Sequence, residues 1–185
     1  KAKEFSEISP QKVVLKSINK LNQQIDWEEI GETFQENALI KAQAVKKYTD
    51  LGVIGDDSGL VVKDLGGEPG IYSKRYAGPN CSNQDNINKL LHELENINSI
   101  ERKAYFITSI AYIDDKDEIH YFTGKCHGRI SKTQTGQGGF GYDPIFIPDG
   151  YTKSFAELGL DEKNKISHRF KAFESFLNSY MPSLN

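Results

Sequence analysis

The spacing of apolar and polar residues predicts helices and strands in alternation. Phe34, Ala38, Ala42 and Val45 fall on one helical stripe, and Thr33-Phe34-Gln35-Glu36 has the spacing of a capping box. A helix is therefore predicted from Thr33 to about Tyr48, with Gly52 closing the connection. Ile87, Leu90, Leu91 and Leu94 form a second stripe behind Ser82, a good cap, and leave His92 in solvent. A third helix, capped by Ser167, runs to about Tyr180 with Phe170, Phe173, Leu177 and Tyr180 inward. Between the helices lie strand signals. Val53-Ile54 and Leu60 to Val62 read as two short strands either side of an acidic turn. Ala104 to Ile113 has apolar or aromatic residues on both faces and is expected to be central. Asp114-Asp115-Lys116-Asp117 turns it into Glu118 to Thr123, and Lys125 to Ile130 continues as strand with Cys126 and His127 as ordinary sheet residues. A short helix over Lys1 to Ile8 and a short strand at Val13 to Leu15 complete the expectation. The order is that of an α/β domain with its site at strand ends.

At 185 residues the chain is long enough for one domain, 1–185, with a real core. The antiparallel stretch, approximately 102–130, reads as a second lobe on the same sheet. A net charge of −3 provides no basic field to recruit nucleic acid. Cys81 and Cys126 have no CxxC spacing, which fits a reducing cytoplasm and argues against structural zinc. No apolar run approaches the ~20 residues of a membrane span. The chain opens on Lys1 and its only methionine is Met181, so further residues, with an initial strand, are expected to precede it.

Three stretches carry candidate chemistry. The first is Gly55-Asp56-Asp57-Ser58-Gly59. Adjacent carboxylates repel and are costly to desolvate, a cost a cation or a proton transfer compensates. The glycines are read as permitting positive φ and close ligand approach. The alternative is a plain Asx-type turn. Downstream, the Gly66-Gly67-Glu68-Pro69-Gly70 turn leads to Ser73, Lys74 and Arg75, a hydroxyl and two cations that suit a metal–phosphate ligand or simply line a surface loop. The second is Thr135-Gly136-Gln137-Gly138-Gly139-Phe140-Gly141-Tyr142-Asp143-Pro144. Its glycines clear space, its aromatic faces can stack a base, and Asp143 can accept from ring N–H or ribose hydroxyls. A glycine loop with two core aromatics is the plainer reading. The third is Lys163-Asn164-Lys165-Ile166-Ser167-His168-Arg169. Cations at a helix start oppose the dipole by about 0.3–1 kcal/mol each, which an anionic or electron-rich ligand reverses. A basic, solvated helix start is the alternative.

In order and spacing, Thr33 to Ala38, Asp56 to Leu60, Leu65 to Tyr76, Gly138 to Phe146 and Ser167-His168-Arg169 together resemble the Ham1-like inosine/xanthosine triphosphate pyrophosphatases. The resemblance covers nearly the whole chain. It implies an elongated mixed β-sheet flanked by helices, two lobes with a nucleotide cleft between them, a homodimer, Mg²⁺ dependence, and hydrolysis of ITP, dITP or XTP to the monophosphate and pyrophosphate. It implies Asp57 as general base and metal ligand, with Glu29 as the second metal ligand and Glu28 and Glu32 as close competitors. Substrate contacts implied are Lys3, Ser58, Phe140, Gly141, Tyr142, Asp143, Lys163, His168 and Arg169. The Thr/Ser and Asn that precede the family's phosphate lysine have no counterpart before Lys3, where the sequence begins.

On this reading Mg²⁺ bridges phosphate oxygens, Asp57 or its neighbour Asp56 activates water for attack at the α-phosphorus, and Lys3, Lys163 and Arg75 neutralise the triphosphate. His168 and Arg169, rich in donors, satisfy a 6-oxo purine where adenine's amino group would meet donors. Two other readings stand beside it: a Maf-like nucleotide pyrophosphatase, and a non-catalytic nucleotide-binding module. Neither nucleic acid nor membrane is an expected partner.

Overall fold

The computed structural model describes residues 14–21 and 24–180. Helices α1 (Phe34–Lys46), α2 (Asn83–Asn96), α3 (Leu160–Ile166) and α4 (His168–Tyr180) accompany strands β1 (Val53–Val62), β2 (Lys103–Ile113), β3 (Ile119–Ile130) and β4 (Phe146–Pro148). The strands form one sheet in the order β1-β2-β3-β4, so β2 is interior, as its two apolar faces predict. β3 pairs antiparallel with β4 through Gly128 with Pro148, Arg129 with Ile147 and Ile130 with Phe146. The helix expected over Lys1 to Ile8 lies outside the described residues, as does Val13. Val14 to Ser17 carries no strand.

Local chemistry fixes the helix starts. The Thr33 hydroxyl accepts from the Glu36 N–H (3.1 Å), and the Glu36 carboxylate accepts from the Thr33 N–H (3.1 Å). Ser82 and Asp85 repeat the arrangement at α2. Ile87, Leu90 and Leu94 of α2 are buried, and His92 is exposed as expected. Of the predicted α4 stripe, Phe173 is buried and Leu177 and Tyr180 pack partly buried against the same cluster, while Phe170 is only half-buried. Ala172 and Phe176 are buried in addition, Phe176 lying against Tyr112 and Phe122.

The acidic turn is the main correction. Asp56 and Asp57 do not interrupt a hairpin; they lie inside a single ten-residue strand. Neither Gly55 nor Gly59 adopts positive φ. Gly55 is required for a different reason: a Cβ there would fall 2.2 Å from the Ala38 carbonyl oxygen and 2.7 Å from the Ala42 nitrogen. Helix α1 rests directly on the strand backbone. The positive φ values occur downstream, at Gly66, Gly67 and Gly70, where the tight turn was expected.

Two compact units share the chain. The first takes its described residues from 14–57, 108–124 and 168–180. Its interior has two layers. Val53, Ala111 and Ile113 pack with Ala38, Ala42 and Val45 of α1, while Ile54, Ile110 and Tyr112 pack with Ala172, Phe173 and Phe176 of α4. The alternation along β1 and β2 sends successive side chains to opposite faces. The second unit comprises 58–107 and 125–167, with Leu60, Val62, Leu90, Leu94, Phe106, Phe146 and Phe155 in its core. The stretch 102–130 is thus divided: 108–124 belongs to the first unit and its two flanks to the second.

Candidate active site

Alternation along β1 determines where Asp57 points. Val53 and Gly55 face α1, and so does Asp57, two residues further on. Lys41 lies three residues after the buried Ala38 on the same side of α1. The two side chains therefore meet: Lys41 Nζ donates to Asp57 Oδ1 at 2.6 Å and to the Asp56 carbonyl at 3.2 Å. The same ammonium lies 2.9 Å from Glu29 Oε1. Burial works against the Lys41 charge, but the bonds to Asp57 and Glu29 outweigh it and hold its pKa above the ordinary lysine value. Asp57 is only 6% exposed.

Glu29 sits on an irregular connector held in place by α1. The Asn37 side chain accepts from the Gly31 N–H (2.9 Å) and donates to the Gly31 carbonyl (3.4 Å), and Asn37 itself is buried. Of the three glutamates weighed for a metal, Glu28 and Glu32 are exposed, whereas Glu29 is half-buried and shares the Lys41 cation with Asp57. Two carboxylates converging on one cation form a hard oxygen donor set, which fits Mg²⁺.

The same unit holds His168 and Arg169, both buried at the start of α4 rather than solvated. Gly124 of β3 makes room for that turn: a Cβ there would lie 2.2 Å from the His168 carbonyl oxygen and 2.3 Å from the Ala172 nitrogen. Lys163 and Lys165 do precede this helix, as expected, but lie on a helix of their own, α3, where Lys165 is exposed beside Glu162.

In the second unit the glycine–aromatic loop is built around Asp143. Its Oδ2 accepts from the Phe140 N–H (2.8 Å) and from Lys163 Nζ (2.6 Å), and both charged side chains are buried. Gly139, at φ +74°, is the only residue that fits, since a Cβ would overlap the Asp143 carboxylate. The Lys163 ammonium also lies 4.8 Å from the centre of the Phe140 ring. Phe140 is 51% exposed and presents a face for stacking, while Tyr142 is buried with its hydroxyl donating to the Ser73 carbonyl (2.9 Å). Gly141, at φ +59°, has open space where a side chain would be. Ser58 follows Asp57 on β1, half-buried. The Ser73 hydroxyl, one candidate for a phosphate contact, is committed to structure: it donates to the Gly70 carbonyl (2.6 Å) and accepts from the Leu60 N–H (2.9 Å). The Arg75 guanidinium lies over the Tyr72 ring at 5.2 Å. Lys3 lies outside the described residues.

Among the described residues, three ligand-type side chains cluster within 4.8 Å only at Asp114, Glu118 and His120, in the β2–β3 turn. Asp114 is fully engaged there. It accepts from the N–H groups of Lys116 (2.9 Å) and Glu118 (2.8 Å) and from the Tyr180 hydroxyl (2.5 Å). The Tyr180 bond, with those backbone N–H groups and His120, draws the Asp114 pKa down to about 2. This carboxylate organises the turn and anchors the end of α4.

Sequence reasoning missed Lys41, Asn37 and Gly124. The signal for Lys41 was present: a lysine three residues after Ala38 and next to Ala42 interrupts an apolar stripe.

The Ham1 family model matches residues 1–179. The dITP/XTP pyrophosphatase of Christiangramia forsetii is 44% identical over 177 residues, 96% of this chain and 92% of that protein. That of Clostridium perfringens is 46% identical over 181 residues, 94% of this chain and 89% of that protein. Among solved structures, the Staphylococcus aureus Ham1 protein matches at TM-score 0.87 and 41% identity, over 100% of this chain and 94% of that one. A HAM1 protein from Coxiella burnetii matches at TM-score 0.89 and 36% identity, over 98% and 93%. The Maf-like alternative falls away with these matches, and the chain, from its acid-bearing strand to its Ser167-His168-Arg169 segment, belongs to the Ham1 family.

Proposed function

We propose that this protein hydrolyses non-canonical purine nucleoside triphosphates (ITP, dITP and XTP) to the monophosphate and pyrophosphate, clearing them from the nucleotide pool. The observation that carries the reading is the convergence of Glu29 and Asp57 on a single cation, with Asp57 buried on an otherwise apolar strand face. Glu29 and Asp57 would hold Mg²⁺, whose chemistry when bound is to offset phosphate charge and polarise the phosphoryl group. Asp57 orients a water and takes its proton as the oxygen attacks the α-phosphorus. The bond from that phosphorus to the α,β-bridging oxygen breaks, and pyrophosphate leaves with the electron pair. Catalysis is mainly positioning and electrostatics.

Lys41 and Lys3 are the cations assigned to the triphosphate. Phe140 stacks the base, with Gly141 leaving its approach clear, and Asp143 holds the loop through Phe140 and Lys163. Ser58 completes the substrate contacts assigned here, while Tyr142, buried with its hydroxyl on the Ser73 carbonyl, supports the loop from the core instead of touching the substrate. His168 and Arg169 supply donors for a 6-oxo purine; adenine's 6-amino group would face donors with a donor, a mismatch that discriminates strongly when buried. The same reading includes a homodimer, testable by sedimentation, and action in the cytoplasm, in keeping with two free cysteines.

A panel of ITP, dITP, XTP, GTP and ATP with Mg²⁺, read by pyrophosphate release, tests it. The inosine and xanthosine nucleotides should turn over well ahead of ATP. Binding without release would return the non-catalytic module; equal rates on ATP would remove the base-recognition argument.

A further inference from the structure

The proposed metal pair is bridged by a residue of the chain itself. Lys41 Nζ approaches Asp57 Oδ1 to 2.6 Å and Glu29 Oε1 to 2.9 Å, with the Asp56 carbonyl at 3.2 Å. These are oxygen ligands of the hard type, arranged around one positive centre. A divalent ion bound to both carboxylates at ~2.1 Å would need each to draw in by roughly 0.5–0.8 Å, a small movement for side chains. An ion in that position would sit where the ammonium now lies, and the two positive charges repel at that range, so the ion enters as Lys41 withdraws.

Resting on the hydrolytic reading above, we infer that Lys41 is an internal counter-cation for the Glu29–Asp57 pair, exchanged for a divalent cation when the site is loaded. The exchange has two consequences. Without metal, Lys41 offsets part of the charge of the acid pair. With metal, the carboxylates are satisfied by the ion, and the ammonium is displaced on a four-carbon stem that still packs along α1. A mobile cation is then available beside the metal. The lysine therefore positions the site when it is empty and weakens metal binding by competition.

Mn²⁺ serves as the probe in nucleotide-free buffer, with affinity read by calorimetry for wild type, Lys41→Met and Lys41→Arg. Methionine keeps the apolar stem and removes the charge; arginine keeps the charge. Lys41→Met should bind Mn²⁺ more tightly than wild type by about tenfold, the scale of one partly buried ion pair. Lys41→Arg should remain close to wild type. Affinity that is equal or weaker in Lys41→Met overturns the inference. A second measurement uses the wild type alone: labelling of Lys41 by an amine-reactive ester, followed by peptide mass spectrometry, should accelerate several-fold on adding Mg²⁺. An unchanged or slower rate overturns it equally. Both readouts are independent of turnover, so the nucleotide panel decides the function separately.

Discussion

Replacing Gly55 by alanine tests the link between fold and site most sharply. The added methyl carbon would lie 2.2 Å from the Ala38 carbonyl oxygen, 2.7 Å from the Ala42 nitrogen and 3.1 Å from the Ala42 Cβ. Ordinary contact is about 3.5–4.0 Å, so the helix and strand backbones must separate by over ~1 Å. The obstacle is backbone on both sides, with no flexible side chain to give way. Overpacking of this kind costs about 1–3 kcal/mol, and the upper part of that range applies here because Ala38 and Ala42 are completely buried. The displacement also moves Lys41 away from Asp57, lengthening a 2.6 Å bond past hydrogen-bonding range unless the lysine stem re-extends. Urea unfolding at constant slope should register the loss of stability, and pyrophosphate release from ITP should fall more than tenfold. Gly66→Ala provides the comparison: its φ is +63° but nothing lies within 4 Å of the new Cβ, so it should cost about 1–2 kcal/mol without touching the Lys41 contacts. If Gly55→Ala unfolds within 0.5 kcal/mol of wild type, α1 does not rest on β1 as described.

Further variants probe each part of the site. Asp57→Asn should lower pyrophosphate release by about 10²–10⁴-fold while far-UV circular dichroism is unchanged; near-normal turnover would remove the base assignment. Arg169→Ala should narrow the ITP-over-ATP preference by about 10–100-fold, measured as a ratio of kcat/KM, and an unchanged ratio would exclude Arg169 from base recognition. Asp143→Leu leaves the Lys163 ammonium buried beside an apolar side chain and should cost about 3–5 kcal/mol in urea unfolding, most of it recovered in Asp143→Leu/Lys163→Met; an additive double variant would contradict the coupling. The lowered Asp114 pKa stabilises the fold above the unfolded carboxylate value near 3.9, and that contribution is lost as pH falls toward about 2. Acid unfolding of wild type between pH 4 and pH 2 should therefore be steeper than that of Tyr180→Phe, and identical profiles would deny the Tyr180 bond its effect.

Helices α1 and α2 were legible because their signals are local, whereas α3, whose start has no side-chain cap, was not foreseen. The Thr33–Glu36 box and the Ser82 cap are readable a few residues at a time, and they lie where spacing placed them. The interior position of β2 was readable for a similar reason, since both of its faces are apolar. The Asp56-Asp57 segment was misread because its determinant is remote. Gly-Asp-Asp-Ser-Gly has the composition of a turn, but Gly55 is there to admit the backbone of a helix ten and more residues away in sequence. Lys41 escaped for the complementary reason: its meaning depends on Asp57 facing the same side, which follows only once β1 is continuous through the acids. In the glycine loop the residue types were recognised and their division of labour was not. Phe140 is exposed, Tyr142 is core, and Asp143 is bonded internally to Lys163, a pairing of residues twenty apart that no local spacing announces.

Hydrolysis of ITP by the Mg²⁺-supplemented wild type in ¹⁸O-enriched water, with both products weighed by mass spectrometry, bears most directly on the chemistry assigned to Asp57. Attack at the α-phosphorus predicts one heavy oxygen in the inosine monophosphate and none in the pyrophosphate. Heavy oxygen in the pyrophosphate, orthophosphate as the primary product, or no turnover would contradict it.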